Sequence, residues 1–465
     1  MENPKKAHKA HVLVVPYPSQ GHINPMLQFS KRLAKKSIKA TLAPTICFSK
    51  FMQTTEISTG YNTSIQIRPI SDGYDEGGYL SAESIPAYLD SFRTQGPKTL
   101  IQLIDKLKEE GDPIKAIIYD GLLPWVLDVA KKSRLLSVLF FTETCSVNSI
   151  YYHVQRGLIK LPIMGSGSGL VSVPGAAELQ VWEAPSLVQD YDSYTVWFDG
   201  VLEQFSVIDQ VDWVLCNIFY DMEKEVVDWM SKMWKVGTIG PTIPSYYLDK
   251  RLEEDNDYSF TRFKPKVDSC IKWLDTKPKG SIIYASFGSL AKLSPQQFEE
   301  LAWGLKNCGY NFLWVVRELE QPKLPKGYID EISGLGLVVS WTSQLEVLAH
   351  DATGCFVTHC GFNSVLEALC LGVPIVGVPH WGDQGTNAKF VEDVWGIGVR
   401  VKKDEMGIVK REELVKCVRE VMEGEKKNEI CKNLAKYKKL AREAIDEGGS
   451  SNKIIDEFVE YLIRE

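Results

Sequence analysis

Apolar residues fall along this chain in two alternating rhythms. Short unbroken apolar runs predict buried strands over residues 12–15, 41–46, 116–119 and 137–141 of the first half. Between the first two, Met26, Leu27, Phe29 and Leu33 recur at helical spacing. They predict a helix that begins near Ile23, with Pro25 in its first turn, where a missing N–H costs nothing. The second half repeats the scheme, with strands predicted over 281–286, 311–316, 337–341, 354–358 and 374–378 and helices between them. Ser294, Pro295 and Gln297 supply an N-cap, a first-turn proline and a capping-box partner for one of those helices. From residue 410 onward the chain reads as charged amphipathic helix, broken at Glu447-Gly448-Gly449-Ser450-Ser451.

Near-continuous apolar strands alternating with helices imply parallel sheets covered on both faces. Residues 240–263 interrupt the pattern with GPTIPS and then the charged run KRLEEDND, which is the composition of a linker. The chain therefore reads as two doubly wound α/β domains in tandem, 1–240 and 264–447, joined by a linker over 241–263. A last helix over 448–465 is expected to pack back on the first domain. In such sheets ligands bind beyond the carboxyl ends of the strands, where the strand order reverses.

Composition narrows the function. The chain has 465 residues, 44% hydrophobic and 24% charged, enough to bury more than one core. A net charge of -7 argues against nucleic acid or an anionic membrane as the main partner. The opening MENPKKAHKAH lacks the apolar run of a signal peptide, and no segment approaches the ~18 apolar residues of a membrane span. A cytoplasmic protein without stable membrane insertion is expected. Ten cysteines occur without a CxxC pair, which fits reduced, buried thiols better than disulfides or zinc.

The densest chemistry lies in residues 341–384, WTSQLEVLAHDATGCFVTHCGFNSVLEALCLGVPIVGVPHWGDQ. An aromatic residue opens it, a His-Cys-Gly-Phe-Asn-Ser turn leads into a helix, a lone Glu follows one turn later, and Asp-Gln closes it. These groups suit a base, a diphosphate, a ribose and a sugar. The stretch resembles the signature box of plant secondary-product glycosyltransferases, the plant branch of the family-1 UDP-sugar enzymes. PYPSQGHINP, YDGLLPW, FFTETC and ASFGSL are similar to that family in the right order, so the resemblance spans nearly the whole chain. It implies a GT-B fold, two facing Rossmann-like doubly wound parallel-sheet domains. It implies inverting transfer with UDP-glucose as co-substrate, no metal and no other cofactor. It also implies a small apolar acceptor, with a monomer expected.

The resemblance assigns roles position by position. Trp341 would stack on uracil, although alone a Trp ending a strand is more often core. Thr342 would meet the uracil edge through its backbone, and Gln344 the ribose or base. Glu367 would accept both ribose hydroxyls; its apolar neighbours Leu366, Ala368 and Leu369 favour a buried, employed carboxylate. His359, Gly361, Asn363 and Ser364 would seat the diphosphate at the helix start, with Ser289 adding a contact from the second domain's first turn. Asp383 and Gln384 would hold sugar hydroxyls, and Thr142 the sugar 6-hydroxyl. Phe362 departs from the family's usual Trp and cannot donate a hydrogen bond to the sugar. Ser343 replaces a usual proline.

His22, in the loop after the first strand, is the candidate base, and Asp120, at the end of the strand over 116–119, the carboxylate that orients it. The plainer readings are a locally bonded loop histidine and a helix N-cap. Asp190-Tyr191-Asp192 and Asp255-Asn256-Asp257 spell the DxD that binds manganese in another enzyme class, but neither stands at a strand end, and both read as loop acids. Tyr17, Tyr79, Tyr88, Trp182, Tyr191, Tyr194, Trp197 and Phe198 are an aromatic supply for an acceptor pocket. The leading reading is glucose transfer to a terpenoid, steroid, phenolic or aromatic acid. A UDP-sugar-binding protein without turnover and an epimerase- or phosphorylase-like enzyme are the alternatives.

Overall fold

The computed structural model describes residues 8–52, 56–58, 64–163, 169–252, 254–258 and 267–464. Its first half holds β1 (Ala10–Val15), β2 (Ile38–Leu42), β3 (Glu56–Ser58), β4 (Ser64–Ile67), β5 (Ala116–Asp120) and β6 (Leu136–Phe141). Two two-residue strands follow, β7 (Leu170–Val171) and β8 (Leu179–Gln180), then β9 (Trp213–Cys216) and β10 (Val236–Thr238). One sheet runs in the order β10-β9-β6-β5-β1-β2-β4-β3. It is parallel except for β3 on β4 at the edge. The chain builds outward from β1 through β2, then returns to lay β5 on the other side of β1. That reversal puts a crevice beyond the ends of β1 and β5.

The second sheet repeats this logic. It comprises β11 (Ile282–Ser286), β12 (Asn311–Val315), β13 (Gly336–Val339), β14 (Thr353–Thr358), β15 (Ile375–Gly377) and β16 (Gly398–Arg400). Every pairing is parallel, in the order β13-β12-β11-β14-β15-β16. Here the order reverses between β11 and β14. The fold is the expected two-domain Rossmann-like α/β architecture.

Several boundaries differ from the sequence reading, each for a local reason. The strand expected over 41–46 lies at Ile38–Leu42: Ser37, at φ 66°, turns the chain into it, and Pro44 has no N–H for the ladder. The first helix starts at Gln20 rather than near Ile23: Ser19 is extended (φ −145°, ψ 143°) at the N-cap position, and its carbonyl accepts from His22 and Ile23 N–H at 3.0 and 2.9 Å. His22 is therefore a first-turn helix residue, not a loop residue, and Pro25 falls in the helix interior, where it withholds one backbone donor. Ser294 caps its helix as expected, accepting from Gln297 N–H at 3.1 Å. The Gln297 side chain does not complete the box; it bonds both polar groups of the Val409 backbone, at 3.0 and 2.9 Å. β13 ends at Val339, two residues short of Trp341.

The chain divides into two compact units, Met1–Glu178 with Leu187–Arg262 and Glu443–Glu465, and Leu179–Ser186 with Phe263–Arg442. Residues 241–262, expected within the linker, thus group with the first unit; of that stretch, 253 and 259–262 lie outside the described residues. The charged run is mostly exposed, but Asp255 within it is buried and anchored. Asp255, buried, pairs with Lys31 Nζ at 2.5 Å and accepts from Ser245 N–H at 2.7 Å. Arg32 donates to the carbonyls of Ile239, at 2.8 Å, and Pro241. Asp255 is therefore a structural acid, as a loop DxD without a metal role would allow. The helix Ser450–Arg464 buries Ile455, Phe458, Val459 and Leu462 in the first unit's core, against Phe29 and Trp213. Each such side chain is worth roughly 1.5–3 kcal/mol against exposure. Nine cysteines are buried and unbridged, and Cys431 is exposed and unbridged.

Candidate active site

In the first unit, the crevice beside β1 and β5 holds His22 and Asp120. His22 Nδ1 lies 2.6 Å from Asp120 Oδ2, with side-chain exposures of 21% and 2%. Asp120 Oδ1 accepts from Leu122 N–H at 3.0 Å. One carboxylate thus fixes the turn after β5 with one oxygen and the imidazole with the other. It caps no helix: the next one, Val126–Lys132, has Trp125 at its N-cap. Thr142, just past β6, has Oγ1 at 3.3 Å from the same Nδ1. A neutral ring that donates from Nδ1 to a carboxylate carries its lone pair on Nε2. That is the arrangement of an oriented general base.

Tyr17 stands with its ring 5.4 Å from that of His22 and also lines an apolar hollow of about 460 Å3. Leu89, Phe92, Leu123, Trp125 and Trp197 line it further, with Arg93 the one charged residue among the described lining residues. Of the aromatic supply, Tyr17 and Trp197 reach this hollow. Tyr88 does not: it is core, donating to Asp72 Oδ2 at 2.8 Å. Trp182 groups with the second unit, 63% exposed, with the Arg400 guanidinium 4.9 Å from its ring centre.

In the second unit, the crevice between β11 and β14 is lined by the turn after each strand. Beyond β14, Cys360 takes a left-handed φ of 63° and Gly361 stands at the N-cap of the helix Phe362–Leu371. The first-turn N–H groups of such a helix form an anion seat. His359 packs between two glycines. A Cβ on Gly361 would meet its Nε2 at 2.6 Å, and a Cβ on Gly288, itself at φ 72°, at 2.7 Å. Burial above all, then the nearby His380, lowers the His359 pKa to about 4, against a bond to the Ser286 backbone that raises it. Before a ligand arrives the ring is therefore neutral, with one N–H rather than two.

Glu367 and Ser364 are buried on one face of that helix, and Gln344 bridges them. Its Nε2 donates to Glu367 Oε2 at 2.8 Å and Ser364 Oγ at 3.0 Å. Gln344 opens the helix Gln344–Ala349, with Ser343, which replaces a proline usual in the resembled family, in the cap position. Thr342 has a buried hydroxyl, and Trp341 lies between β13 and this helix. Phe362 is buried at the first helical position, beside Asn363. The turn 287–291 that carries Ser289 is braced by Arg317, which donates to the carbonyls of Ser289 and Ala291.

Asp383 and Gln384 follow Gly382, at φ 67°. Gln384 differs from expectation in its hydrogen bonding. Its Oε1 accepts from the N–H groups of His380 and Trp381, at 2.9 and 3.1 Å, which leaves the amide NH2 as its donor for a ligand. Sequence reasoning missed Asn387, which donates to Asp383 Oδ2 at 2.6 Å and to Cys360 O at 2.9 Å. Its one sequence signal is the i+4 spacing from Asp383. Arg317 gave no signal at all.

Comparison with known proteins identifies the family. The family model described as "UDP-glucoronosyl and UDP-glucosyl transferase" matches residues 246–439. UDP-glycosyltransferase 74E1 of Arabidopsis thaliana is 49% identical over 97% of this chain and 98% of its own length. Mogroside I-E synthase of Siraitia grosvenorii is 47% identical over 97% of this chain and 98% of its own. Among solved structures, Os79 from O. sativa in complex with UDP is 38% identical, with a TM-score of 0.90 over 97% of this chain and 100% of that one. The chain belongs to the plant family-1 UDP-glycosyltransferases, enzymes of the hexosyltransferase type that move a glycosyl group from a UDP-sugar to a small acceptor.

Proposed function

We propose that this enzyme moves glucose from UDP-glucose, with inversion and without a metal, to a hydroxyl or carboxyl group of a small lipophilic plant metabolite. Terpenoids, steroids, phenolics and aromatic acids are the acceptor classes. The single observation that carries the reading is the 2.6 Å contact between His22 Nδ1 and Asp120 Oδ2 at the strand-order reversal, beside an apolar hollow. The acceptor hydroxyl gives its proton to His22 Nε2 as its oxygen bonds the anomeric carbon. The bond from that carbon to the diphosphate oxygen breaks, and UDP leaves with the electron pair. From an α-linked donor the product is a β-glucoside. Asp120 keeps the ring in one tautomer and offsets the imidazolium charge.

In this reading the diphosphate sits on the amides at residues 361–364, the ribose on Glu367, uracil on Trp341 and the hexose on Asp383 and Gln384. Helix N-terminal amides offset the phosphate charge, so a cation need not. The apolar lining of the hollow supports a lipophilic acceptor. A relative 44% identical is a flavonol 7-O-beta-glucosyltransferase, and Os79 has been solved with a trichothecene, which supports glucose and ring-rich acceptors here.

The test is a mass-spectrometric panel of such acceptors with UDP-glucose. β-Glucosides and UDP should form in equal amounts. His22→Ala should cut turnover of alcohol acceptors by about 10²-fold or more while UDP binding survives. Undiminished turnover of an alkyl alcohol by that variant would refute the base role.

A further inference from the structure

We infer that Asn387 is a positioning residue that ties the Asp383 carboxylate to the turn at residues 359–361, so that hexose and diphosphate are held in one fixed relation. The inference rests on the donor-site reading given above. Asn387 is fully buried on the helix Gln384–Lys389, one turn beyond Asp383. Its Nδ2 carries two hydrogens and has two acceptors, Asp383 Oδ2 at 2.6 Å and Cys360 O at 2.9 Å. Both neighbours accept, so only the amide nitrogen can face them, and the orientation of the side chain is settled.

The two acceptors matter. Cys360 is the left-handed residue that aims the 359–361 turn, a conformation that persists only where its surroundings enforce it. Asp383 is the acid read as holding sugar hydroxyls. A short bond to a charged oxygen fixes its rotamer before the donor arrives. The peptide before Asp383 is pinned from the other side: Ser186 Oγ accepts from Gly382 N–H at 2.7 Å, and Ser186 N–H donates to Gly382 O at 2.8 Å. Thr386 Oγ1 adds a bond to Glu183 O at 2.8 Å, and the Glu183 carboxylate lies 2.7 Å from Arg400 Nη2. The 382–387 segment is thus held by groups that need not touch the donor.

The experiment compares UDP-glucose with UDP binding by calorimetry, because only the first carries a hexose. Asn387→Asp keeps the volume and replaces the donor with a carboxylate against Asp383. The ratio of UDP-glucose to UDP affinity should fall about tenfold, the scale of one charge-assisted bond. The deficit should shrink as pH falls, because two close carboxyls share a proton and the shared proton restores a donor. A purely structural role would not give that pH dependence. Ser186→Ala, at a half-buried position, should lower the same ratio a few-fold and leaves the test standing if Asn387→Asp fails to fold. Asp383→Ala separates the two ideas. If it leaves the ratio unchanged, the donor-site reading fails and this inference falls with it. If it lowers the ratio while Asn387→Asp and Ser186→Ala do not, only this inference is overturned.

Discussion

Gln344 and Glu367, 23 residues apart in sequence, are joined by a 2.8 Å hydrogen bond from Nε2 to Oε2. A buried carboxylate needs donors, and this one has an amide that also bonds Ser364. If Glu367 receives a ribose diol, Glu367→Gln should weaken UDP binding about tenfold or more, the scale of a bond to a charged group. An analogue lacking both ribose hydroxyls should bind the variant and the parent alike. Equal loss for both ligands would remove Glu367 from the ribose.

Phe362 fills a buried site at the start of its helix. Phe362→Trp adds an indole N–H and extra volume there. Overpacking should lower stability by about 1–3 kcal/mol, and sugar-donor preference should change more than acceptor preference. Flat selectivity between UDP-glucose and UDP-galactose would detach this position from the sugar.

Gly361→Ala places a methyl group 2.6 Å from His359 Nε2. The ring must move, and UDP affinity should drop. His359→Ala should also weaken UDP, but the double variant should be no worse than His359→Ala alone, because the clash then has no partner. Additive losses in a calorimetric cycle would show that Gly361 acts through the backbone instead.

His11 and His359 are both held neutral, chiefly by burial, with pKa values lowered to about 4. Unfolding returns each ring to an ordinary value near ~6.5, so the unfolded chain binds more protons below that pH. The stability from each group is complete above pH ~6.5 and is lost as pH falls toward about 4, by at most about 3 kcal/mol per ring. Urea unfolding at pH 7.5 and pH 5 measures it. His11→Asn should flatten part of the decline, and an identical pH slope in that variant would sink the assignment.

What the sequence alone determined is what local periodicity and spacing encode. The runs at 12–15 and 354–358, the helix positions Met26 to Leu33, and the Gly-Phe-Asn-Ser helix start could be read because strand and helix periods appear within a few residues. The roles assigned along 341–384 came instead from the resemblance of that stretch to a family signature box, whose groups are close in sequence. Only the tertiary structure brought Asp120 to His22 across 98 positions, because a parallel sheet joins strands that are distant in the chain. It alone turned the Gln384 carbonyl inward, put Gln344 on Glu367, gave Asn387 to both Cys360 and Asp383, and folded the charged run at Asp255 onto Lys31. Those outcomes depend on which buried polar group finds which partner. Burial makes an unpaired group costly, and partners are set by three-dimensional neighbours that no window of sequence contains.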